Sequence, residues 1–360
     1  HKVAILEMGK EYRNQDFPKT NWNVRKYLWA PILRCFGIQK LSFLNNLLVL
    51  HGVGVGGGSL VYANTLMYPP KHVFKNECWP KNIDWASELA PFYETARKML
   101  GVATNPYIYD GEKAIEEIGK ELNVSETFHA TDVGIYFGEE NKKVSDPYFD
   151  GDGPDRTGCN ACAACMIGCP NGAKNTLDKN YLYFAKKWGA KIFAETKVTK
   201  IIPHKDHYVI ETESSTSLLP KKGPKFRAKK VILSAGVMGT MDILLKNKFV
   251  HKTLPNVSER IGDTVRSNNE SLTAATSLNP EINMSKGIAI GAAVHPDEYT
   301  KIEGVRYSKG SDFLRFLAVP LTGAGNFITR PIKLFLTTIF NLPKVLRVIF
   351  KRDWASSTLI

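Results

Sequence analysis

The sequence predicts a mixed α/β chain (α+β overall) in which one domain is interrupted by a second domain built mostly on antiparallel strands. At 360 residues the chain exceeds a comfortable single hydrophobic core, which predicts about two domains. Two apolar strand patterns that end in small residues, 2–9 and 229–239, predict strand ends at which backbone can approach a ligand. The strand-rich block 190–234 follows a long intervening region, so the first domain is predicted to be discontinuous.

Capping residues, apolar periodicity and turn residues predict the elements along the chain. Asp84 is predicted to cap a helix that runs to about Leu100. The other predicted helices are 113–122, 177–188 and 238–246, and the predicted strands are 191–194, 197–203, 208–213, 226–234 and 287–294, the last within a mostly stranded region, 265–310. Residues 17–50 are predicted to be an aromatic and basic insertion of loops or short helices. The predicted domains are 1–75 with 176–262, and 76–175 with 263–360.

The most informative stretch is residues 51–64, which read His-Gly-Val-Gly-Val-Gly-Gly-Gly-Ser-Leu-Val-Tyr-Ala-Asn. Five of the seven positions from Gly52 to Gly58 are glycine, which indicates backbone that turns through positive φ or lies close to another group. The segment lacks the Lys-Ser/Thr of a phosphate loop and the strand-turn-helix spacing of a dinucleotide fingerprint. A tight glycine turn inside a core is the alternative interpretation.

Two further segments favour a cofactor over a simple turn. The first strand pattern ends in Glu7 and Gly9, and an acid at such a strand end accepts hydrogen bonds from the adenosine ribose in a dinucleotide-binding unit. That acid normally follows a glycine loop by about 20 residues. The second pattern, 229–239, is predicted to be a buried strand that stops at Ser234-Ala-Gly236, where small residues would let a flat cofactor approach the backbone.

These segments resemble the flavin-contacting segments of the glucose–methanol–choline (GMC) oxidoreductases, and most of all those of the cholesterol-oxidase-like branch. The three that carry the resemblance are the strand ending in Glu7-Met-Gly, the run Gly-Val-Gly-Gly-Gly-Ser59-Leu, and Ser234-Ala-Gly-Val-Met-Gly-Thr240. The stretches 79–85, 173–182 and 261–268 are similar to that branch too. The resemblance therefore covers most of the chain.

The resemblance implies a Rossmann-like FAD-binding domain with FAD as the cofactor. The residues that it assigns to FAD are Glu7 at the adenosine ribose, Gly56, Gly57, Gly58 and Ser59 along the pyrophosphate and flavin, Val198 beside the adenine, Ser234, Ala235 and Gly236 near the nucleotide, and Asn64 as a further cofactor contact. It also places the family's first glycine fingerprint before His1 and its histidine–asparagine pair beyond Ile360. We therefore expect a fragment, inactive alone, that lacks both ends of the family pattern.

The implied reaction is oxidation of the CH–OH group of a sterol or other lipid alcohol, with hydride transfer to flavin N5 and with oxygen or another electron acceptor. A 3-hydroxysteroid would allow a second step, in which a carboxylate moves a proton to isomerise the resulting ketone. Glu303 lies at about the expected place for that carboxylate, and the alternative is a surface glutamate paired with Arg306. Two other functions are open: an electron-transfer subunit with flavin and an iron–sulfur cluster, and a non-catalytic lipid-binding protein on a decayed flavin fold.

The cysteine run Cys159, Cys162, Cys165 and Cys169, followed by Pro170, has the spacing of bacterial ferredoxins. Small residues between the cysteines would let the loop fold tightly around an iron–sulfur cluster, and Cys35 or Cys78 could complete such a site. Zinc favours two separated cysteine pairs, and reduced cysteines that pack as small hydrophobes are the structural alternative. A disulfide framework would need strained, very short loops, so the run favours a reducing compartment.

The C-terminal stretch 328–354 alternates bulky apolar residues with cations and is too polar to span a membrane. Two basic amphipathic helices docked on an anionic bilayer are one interpretation, and two helices packed on the second domain, with snorkelling cations, are the other. In the first interpretation the headgroup contacts are Lys333, Lys344, Arg347, Lys351 and Arg352, and the inserted residues are Phe335, Leu336, Phe340, Leu346 and Phe350.

Composition adds the remaining constraints. The hydrophobic content of 43% and the charged content of 23% are ordinary for a globular protein. The net charge of +13 does not predict nucleic-acid binding, because the excess lies partly in a predicted hairpin turn, 221–230, and in the C-terminal stretch, without a recognition-helix pattern. A cytoplasmic or peripheral-membrane location is favoured, and the sequence from His1 neither shows nor excludes a signal peptide.

Overall fold

The computed structural model describes residues 1–44, 47–351 and 353–360. The described chain divides into two compact units. The first unit comprises residues 1–17, 24–61 and 176–270, and the second unit comprises residues 18–23, 62–175 and 271–360. Helices and strands occur in both units, which confirms the prediction of a mixed α/β chain.

Two sheets with different pairing organise the first unit. Ala4–Leu6 pairs in parallel with Lys191–Phe193. A three-stranded antiparallel sheet is formed by Thr196–Pro203, Tyr208–Ser214 and Phe226–Ala228. The buried side chains of Ile201 and Ile210 lie opposite each other in that sheet. Within the described residues this pairing does not show a Rossmann arrangement, so that part of the prediction rests on the resemblance alone.

Short helices and hairpins complete the first unit. The α-helices are Val24–Tyr27, Tyr181–Lys187 and Gly236–Leu245, with a π-helical turn at Lys246–Val250, and the 3-10 helices are Asn14–Asp16, Pro31–Leu33, Gly57–Leu60 and Leu177–Lys179. The antiparallel pairs are Trp29–Ala30 with Cys35–Phe36 and Gln39–Leu44 with Leu47–Gly52. The prediction of only loops or short helices at 17–50 is therefore wrong in part, because the alternation around Leu41 and Phe43 forms a hairpin strand.

Residues 229–234 do not form the buried strand that the sequence predicts. The preceding strand ends at Ala228, and Ile232 is 88% exposed. An apolar, β-branched run becomes a strand only when a neighbouring strand supplies its hydrogen bonds, and in the described part of the chain no strand pairs with this run. Ser234 is consequently exposed, and the helix that follows begins at Gly236.

The second unit is centred on the strand Ile290–Val294, in which every residue is buried. This strand pairs antiparallel with Ile302–Val305 and with His129–Ala130. The helix Asp110–Glu121 packs against it and contributes Ile115 to the shared core. The predicted strand at 287–294 is confirmed with a later start, whereas the surrounding region 265–310 is less stranded than predicted.

Capping side chains set the starts of two helices in the second unit. Asp84 caps the helix Trp85–Met99 by accepting a hydrogen bond from Ser87 N at 3.4 Å, which confirms the predicted cap. The helix Asp110–Glu121 begins earlier than predicted, because the Glu112 carboxylate accepts a hydrogen bond from Tyr109 N at 2.9 Å. That bond satisfies a backbone donor that the first helical turn leaves unpaired.

Shorter elements complete the second unit. Its two-residue strands are Ala103–Thr104, Asp132–Val133, Lys143–Val144, Arg156–Thr157, Ala275–Thr276 and Thr358–Leu359, and its 3-10 helices are Lys71–Lys75, Ser125–Thr127, Cys165–Ile167 and Phe313–Leu317. The C-terminal α-helices are Thr329–Phe340, Leu342–Ile349 and Trp354–Ser357. Across the described ranges, no helix is long and apolar enough to cross a membrane.

Candidate functional site

The glycine segment of the first unit turns through backbone conformations that side chains disfavour. Gly54, Gly56 and Gly57 have φ values of 143°, 110° and 56°, in the region that glycine adopts without a steric cost. A Cβ on Gly9 would lie 2.3 Å from Gly54 N, so the end of the first strand and the glycine segment touch backbone to backbone. The positive φ values and the close approach predicted from the glycines are therefore present.

Two glycines of this segment leave open space beside the backbone. A Cβ added to Gly57 or Gly58 would meet no described atom within 4 Å. Side-chain-free backbone next to open space is the surface that a pyrophosphate or a flat ring needs for close approach. The segment therefore fits a bound dinucleotide such as FAD.

Glu7 is held against the glycine segment by two backbone amides. Its Oε1 accepts hydrogen bonds from Gly9 N at 2.6 Å and from Gly54 N at 3.1 Å. Burial raises the pKa of this half-buried carboxyl above its usual range, and the two amide hydrogen bonds oppose that rise. The structure thus brings the predicted ribose-binding acid and the predicted glycine segment together.

Ser59 joins the glycine segment to a second turn, in which one oxygen of the Asp178 carboxylate is unpaired. Its Oγ donates to Gly56 O at 2.6 Å and accepts from Leu177 N at 2.9 Å. Asp178 follows in that turn, and its buried Oδ1 has no hydrogen-bond partner among the described residues. A Cβ on Gly56 would lie 3.3 Å from this oxygen. No motif in the sequence singles out Asp178, although the residue lies within the stretch 173–182 that resembles the GMC family.

The positions of the other residues that the resemblance assigns to FAD in the first unit give weaker support for a cofactor site. Val198 is half-buried in the strand Thr196–Pro203, next to an irregularity in register between Val198 and Lys200. Ser234, Ala235 and Gly236 are exposed, and Gly236 has φ of 67°. The backbone of these three residues is accessible to a ligand, but they do not follow a buried strand as the sequence predicts.

Asn64 lies in the second unit and is fully buried with φ of 75°. Neither its Nδ2 nor its Oδ1 has a hydrogen-bond partner of normal geometry among the described residues. The Cys165 thiol interacts with this amide, but a thiol is a weak hydrogen-bonding group. A buried amide without strong partners costs stability unless another group satisfies it, which makes Asn64 a candidate ligand contact.

The cysteine run packs as a core. Cys159, Cys165 and Cys169 belong to one buried cluster, and all the cysteines of the chain are free thiols. Burial raises the pKa of the Cys165 thiol to about 12, so the thiol stays protonated at neutral pH. The adjacent cavity of about 10 Å³ has room for a water molecule at most.

The environment of the cysteine run therefore lends no support to an iron–sulfur cluster. Lys174 Nζ lies beside the cysteine run and donates to Tyr62 O at 2.8 Å and to Cys165 O at 2.9 Å. Within the ranges that the structure describes, no three His, Cys, Asp or Glu side chains are arranged to hold a metal ion. The arrangement matches the alternative in which reduced cysteines act as small hydrophobes.

Glu303 lies on the strand Ile302–Val305 and pairs with Lys301, whose Nζ is 2.7 Å from Oε1. The alternative pairing with Arg306 is wrong, because Arg306 is buried and pairs with Glu112. The sequence analysis also missed two stacked histidines nearby, His129 and His295, with ring centroids 5.2 Å apart. Burial and the neighbouring His129 lower the pKa of His295, against the opposing charge of Glu303.

Comparisons with known proteins agree with the geometry of the first unit. A family model described as GMC oxidoreductase matches residues 153–265. Cholesterol oxidases of Mycobacterium tuberculosis strains CDC 1551 / Oshkosh and ATCC 25618 / H37Rv are each 39% identical over 372 residues, covering 100% of this chain and 64% of the relative. A cholesterol oxidase of Acinetobacter baumannii is 41% identical over 322 residues, covering 87% of this chain and 58% of the relative.

These matches confirm the resemblance to the GMC oxidoreductases and to their cholesterol-oxidase-like branch. The identity extends along the whole chain, whereas the family model matches one stretch of it. The chain spans 64% of the length of the first relatives that it matches.

Proposed function

We propose that this chain forms part of an FAD-dependent oxidoreductase that oxidises the CH–OH group of a sterol or other lipid alcohol. The observation that carries the proposal is the contact of Glu7 with Gly54, beside the open backbone of Gly57 and Gly58. The similarity to cholesterol oxidases, over 100% and 87% of this chain, supports the alcohol as substrate class. Bound FAD supplies the hydride acceptor, flavin N5.

In this proposal the first unit binds and orients the cofactor. Two amides fix Oε1 of Glu7, so its other oxygen is oriented to accept a hydrogen bond from an adenosine ribose hydroxyl. Gly57 and Gly58 lie against the pyrophosphate and flavin, since no side chain occupies that space. Asp178 Oδ1, buried beside Gly56, accepts a hydrogen bond from a donor of the cofactor. Val198 and the backbone of 234–236 complete the nucleotide contacts.

Two residues of the second unit have proposed roles toward ligands. Asn64 offers a buried amide donor and acceptor to a bound group. Glu303 is proposed to move a proton between ring carbons when a 3-ketosteroid is isomerised, and Lys301 Nζ lies 2.7 Å from its Oε1. His295 lies close enough to Glu303 to interact with its charge and offers a second proton-transfer group.

The test of the proposed reaction is an alcohol panel on the FAD-loaded, full-length protein. A 3-hydroxysteroid, a long-chain primary alcohol and a terpenoid alcohol are supplied in turn, while peroxide formation and dye reduction are followed in parallel. We expect turnover with a lipid alcohol and accompanying loss of the oxidised-flavin absorbance. An electron-transfer subunit would instead contain iron and sulfide and form no peroxide. Absence of turnover with every alcohol would contradict the proposal.

The C-terminal helices are proposed to bring the enzyme to a lipid surface. Phe335, Phe340 and Phe350 are 63%, 79% and 75% exposed, and cations lie among them on the helices Thr329–Phe340 and Leu342–Ile349. Exposed aromatic residues interspersed with cations match an anionic bilayer. Of the predicted headgroup contacts, Arg352 lies outside the described residues. A peripheral-membrane location is the corresponding proposal.

A further inference from the structure

A pocket of about 490 Å³ in the second unit is lined by none of the residues proposed above to contact the cofactor or the substrate. It opens between the 3-10 helix Lys71–Lys75 and the first turn of the helix Trp85–Met99. Small-molecule sites typically measure about 300–1,000 Å³, with apolar walls and a few polar groups. The volume alone therefore permits a ligand of drug-like size.

Aromatic rings form the apolar wall of this pocket. The rings of Trp79 and Trp85 are 5.1 Å apart with an interplanar angle of 42°, and Phe74 lies 6.2 Å from Trp79. Trp85 Nε1 donates to Pro80 O at 3.0 Å, which fixes the orientation of that indole. Fixed indole rings present a large apolar surface at a low entropic cost of binding.

Three lysines give the pocket an excess of positive charge. Lys71, Lys75 and Lys81 line it and are exposed, and within the described residues none of the three makes an ion pair. The pocket's carboxylate, Asp84, is already used in capping the helix, where Ser87 Oγ donates to it at 2.7 Å. The side-chain hydrogen bond from Ser87 is the main cause that lowers the pKa of Asp84, followed by the backbone amide of Ser87. The charge of Lys71 also acts on Asp84, but three lysines and one carboxylate line the pocket, so a ligand anion would still meet an excess of positive charge.

We propose that this pocket binds a free amphipathic anion, whose apolar ring body packs on Trp79 and Trp85 and whose carboxylate or sulfate contacts Lys71, Lys75 and Lys81. The apolar wall favours a ring or chain body over inorganic anions, because indole surfaces gain from displaced water. The presence of both lysines and indoles in one pocket favours a molecule that has a charged end and an apolar body. This proposal is independent of the flavin site and of the alcohol that the enzyme oxidises.

The experiment is calorimetric titration of the full-length protein with a soluble steroid 3-sulfate, compared with the parent 3-alcohol and with inorganic sulfate. The blocked hydroxyl keeps the sulfate ester from being a substrate, so binding is measured without turnover. We expect the steroid sulfate to bind and to change tryptophan fluorescence, with no change on adding sulfate alone. Changing Lys71, Lys75 and Lys81 together to Gln should weaken binding about tenfold, as expected for three exposed charge contacts.

Matched variants separate this site from general charge attraction. The triple change Lys221→Gln, Lys229→Gln and Lys230→Gln removes the same charge from exposed positions elsewhere and should leave the affinity unchanged. Trp79→Phe should retain binding and lose part of the fluorescence change. If the pocket triple is not recovered folded, the single changes Lys71→Gln and Lys81→Gln should each weaken binding by a smaller factor. Equal weakening in both triples, or binding only in the presence of anionic phospholipid vesicles, would overturn the proposal.

Discussion

Arg306 and Glu112 form a buried ion pair that ties the end of the strand Ile302–Val305 to the helix Asp110–Glu121. Arg306 Nη1 donates to Glu112 Oε2 at 3.1 Å and Nη2 donates to Oε1 at 2.5 Å, and the two side chains are 1% and 0% exposed. Nη1 also donates to Lys286 O at 2.7 Å. The pair is therefore bidentate, buried and supported by a third acceptor.

Glycines make the space in which this ion pair lies. A Cβ on Gly111 or Gly287 would lie 2.3 Å or 2.4 Å from the Arg306 guanidinium, and a Cβ on Gly291 would lie 1.9 Å from Glu112 Oε1. Side chains at these positions would displace one of the two charges. Glycine is therefore needed at these positions of the helix and of the segment 287–291 for the ion pair to form.

Breaking the pair from one side should destabilise the protein strongly. Glu112→Gln leaves the Arg306 charge buried and without a carboxylate, which typically costs about 3–5 kcal/mol. The free energy of unfolding from urea titration measures the effect. Glu121→Gln, on the same helix but exposed, is the control and should change stability by about 0.5 kcal/mol or less. Equal effects of the two changes would show that the pair contributes little.

Gly58→Ala should separate cofactor binding from stability. The φ of Gly58 lies outside the left-handed region, and an added Cβ would meet no described atom within 4 Å, so the folded apoprotein should be as stable or up to about 1 kcal/mol more stable. A methyl group in the cofactor's space should raise the Kd for FAD about tenfold or more, as measured by flavin fluorescence titration.

The control for that change is Gly323→Ala, since Gly323 also has open space around its Cα and lies outside the proposed cofactor site. It should leave the Kd for FAD unchanged. Equal FAD affinity in the Gly58 and Gly323 variants would remove the glycine segment from the cofactor site.

Glu7→Gln should affect stability and cofactor affinity in opposite directions. Burial raises the folded-state pKa of Glu7 above its unfolded value, so stability from this group is present below the unfolded pKa and is lost as pH rises through the folded pKa. The variant apoprotein should therefore gain stability relative to the wild type at pH 7 and gain none at pH 4. Its FAD affinity should fall, because the ribose acceptor is no longer charged.

Thermal unfolding at the two pH values, with Glu11→Gln as an exposed control, measures the stability effect. If the stability of the variant relative to the wild type were the same at pH 4 and at pH 7, Glu7 would not be buried as described. A normal FAD affinity would mean that Glu7 does not contact the ribose.

Neutralising the cations of the C-terminal helices should abolish most binding to anionic vesicles. Each cation at such a surface contributes about 1 kcal/mol, so changing Lys333, Lys344, Arg347 and Lys351 to Gln should weaken binding by about two to three orders of magnitude at low salt. Liposome sedimentation at two salt concentrations measures the loss. The matched control removes four exposed charges at Lys221, Lys222, Lys229 and Lys230.

The alternative of packed helices makes a different prediction for the same segment. Phe335→Asp and Phe340→Asp would then unfold the second unit, whereas the cation changes would do little. Membrane docking would be contradicted if vesicle binding were the same with and without the four cations and at both salt concentrations.

Local signals in the sequence were sufficient for several elements. Asp84 caps its helix because a side-chain oxygen needs only the backbone amide of Ser87 three residues later. The apolar run ending at Val294 becomes a central strand because its residues suit burial on both faces. Three glycines of 52–58, Gly54, Gly56 and Gly57, have the positive φ values that the glycine run predicts. Each of these features depends on residues close by in sequence, or on burial that any apolar neighbour can provide.

Features that depend on distant partners could not be read from the sequence. Arg306 and Glu112 are 194 positions apart, and the nearer Glu303 looked like the natural partner. The run at 229–234 has the composition of a strand but finds no strand to pair with among the described residues. Asp178 is informative only because its oxygen is buried beside Gly56 and unpaired, which is a property of the fold.

The most direct test of the proposed cofactor site is the amount of FAD that the full-length protein binds, measured from its visible absorption spectrum after reconstitution and removal of free cofactor. We expect stoichiometric FAD with the absorption bands of an oxidised flavin, bleached by a lipid alcohol that the enzyme accepts. A correctly folded, full-length protein that stays colourless after incubation with excess FAD would contradict the assignment of Glu7 and the glycine segment.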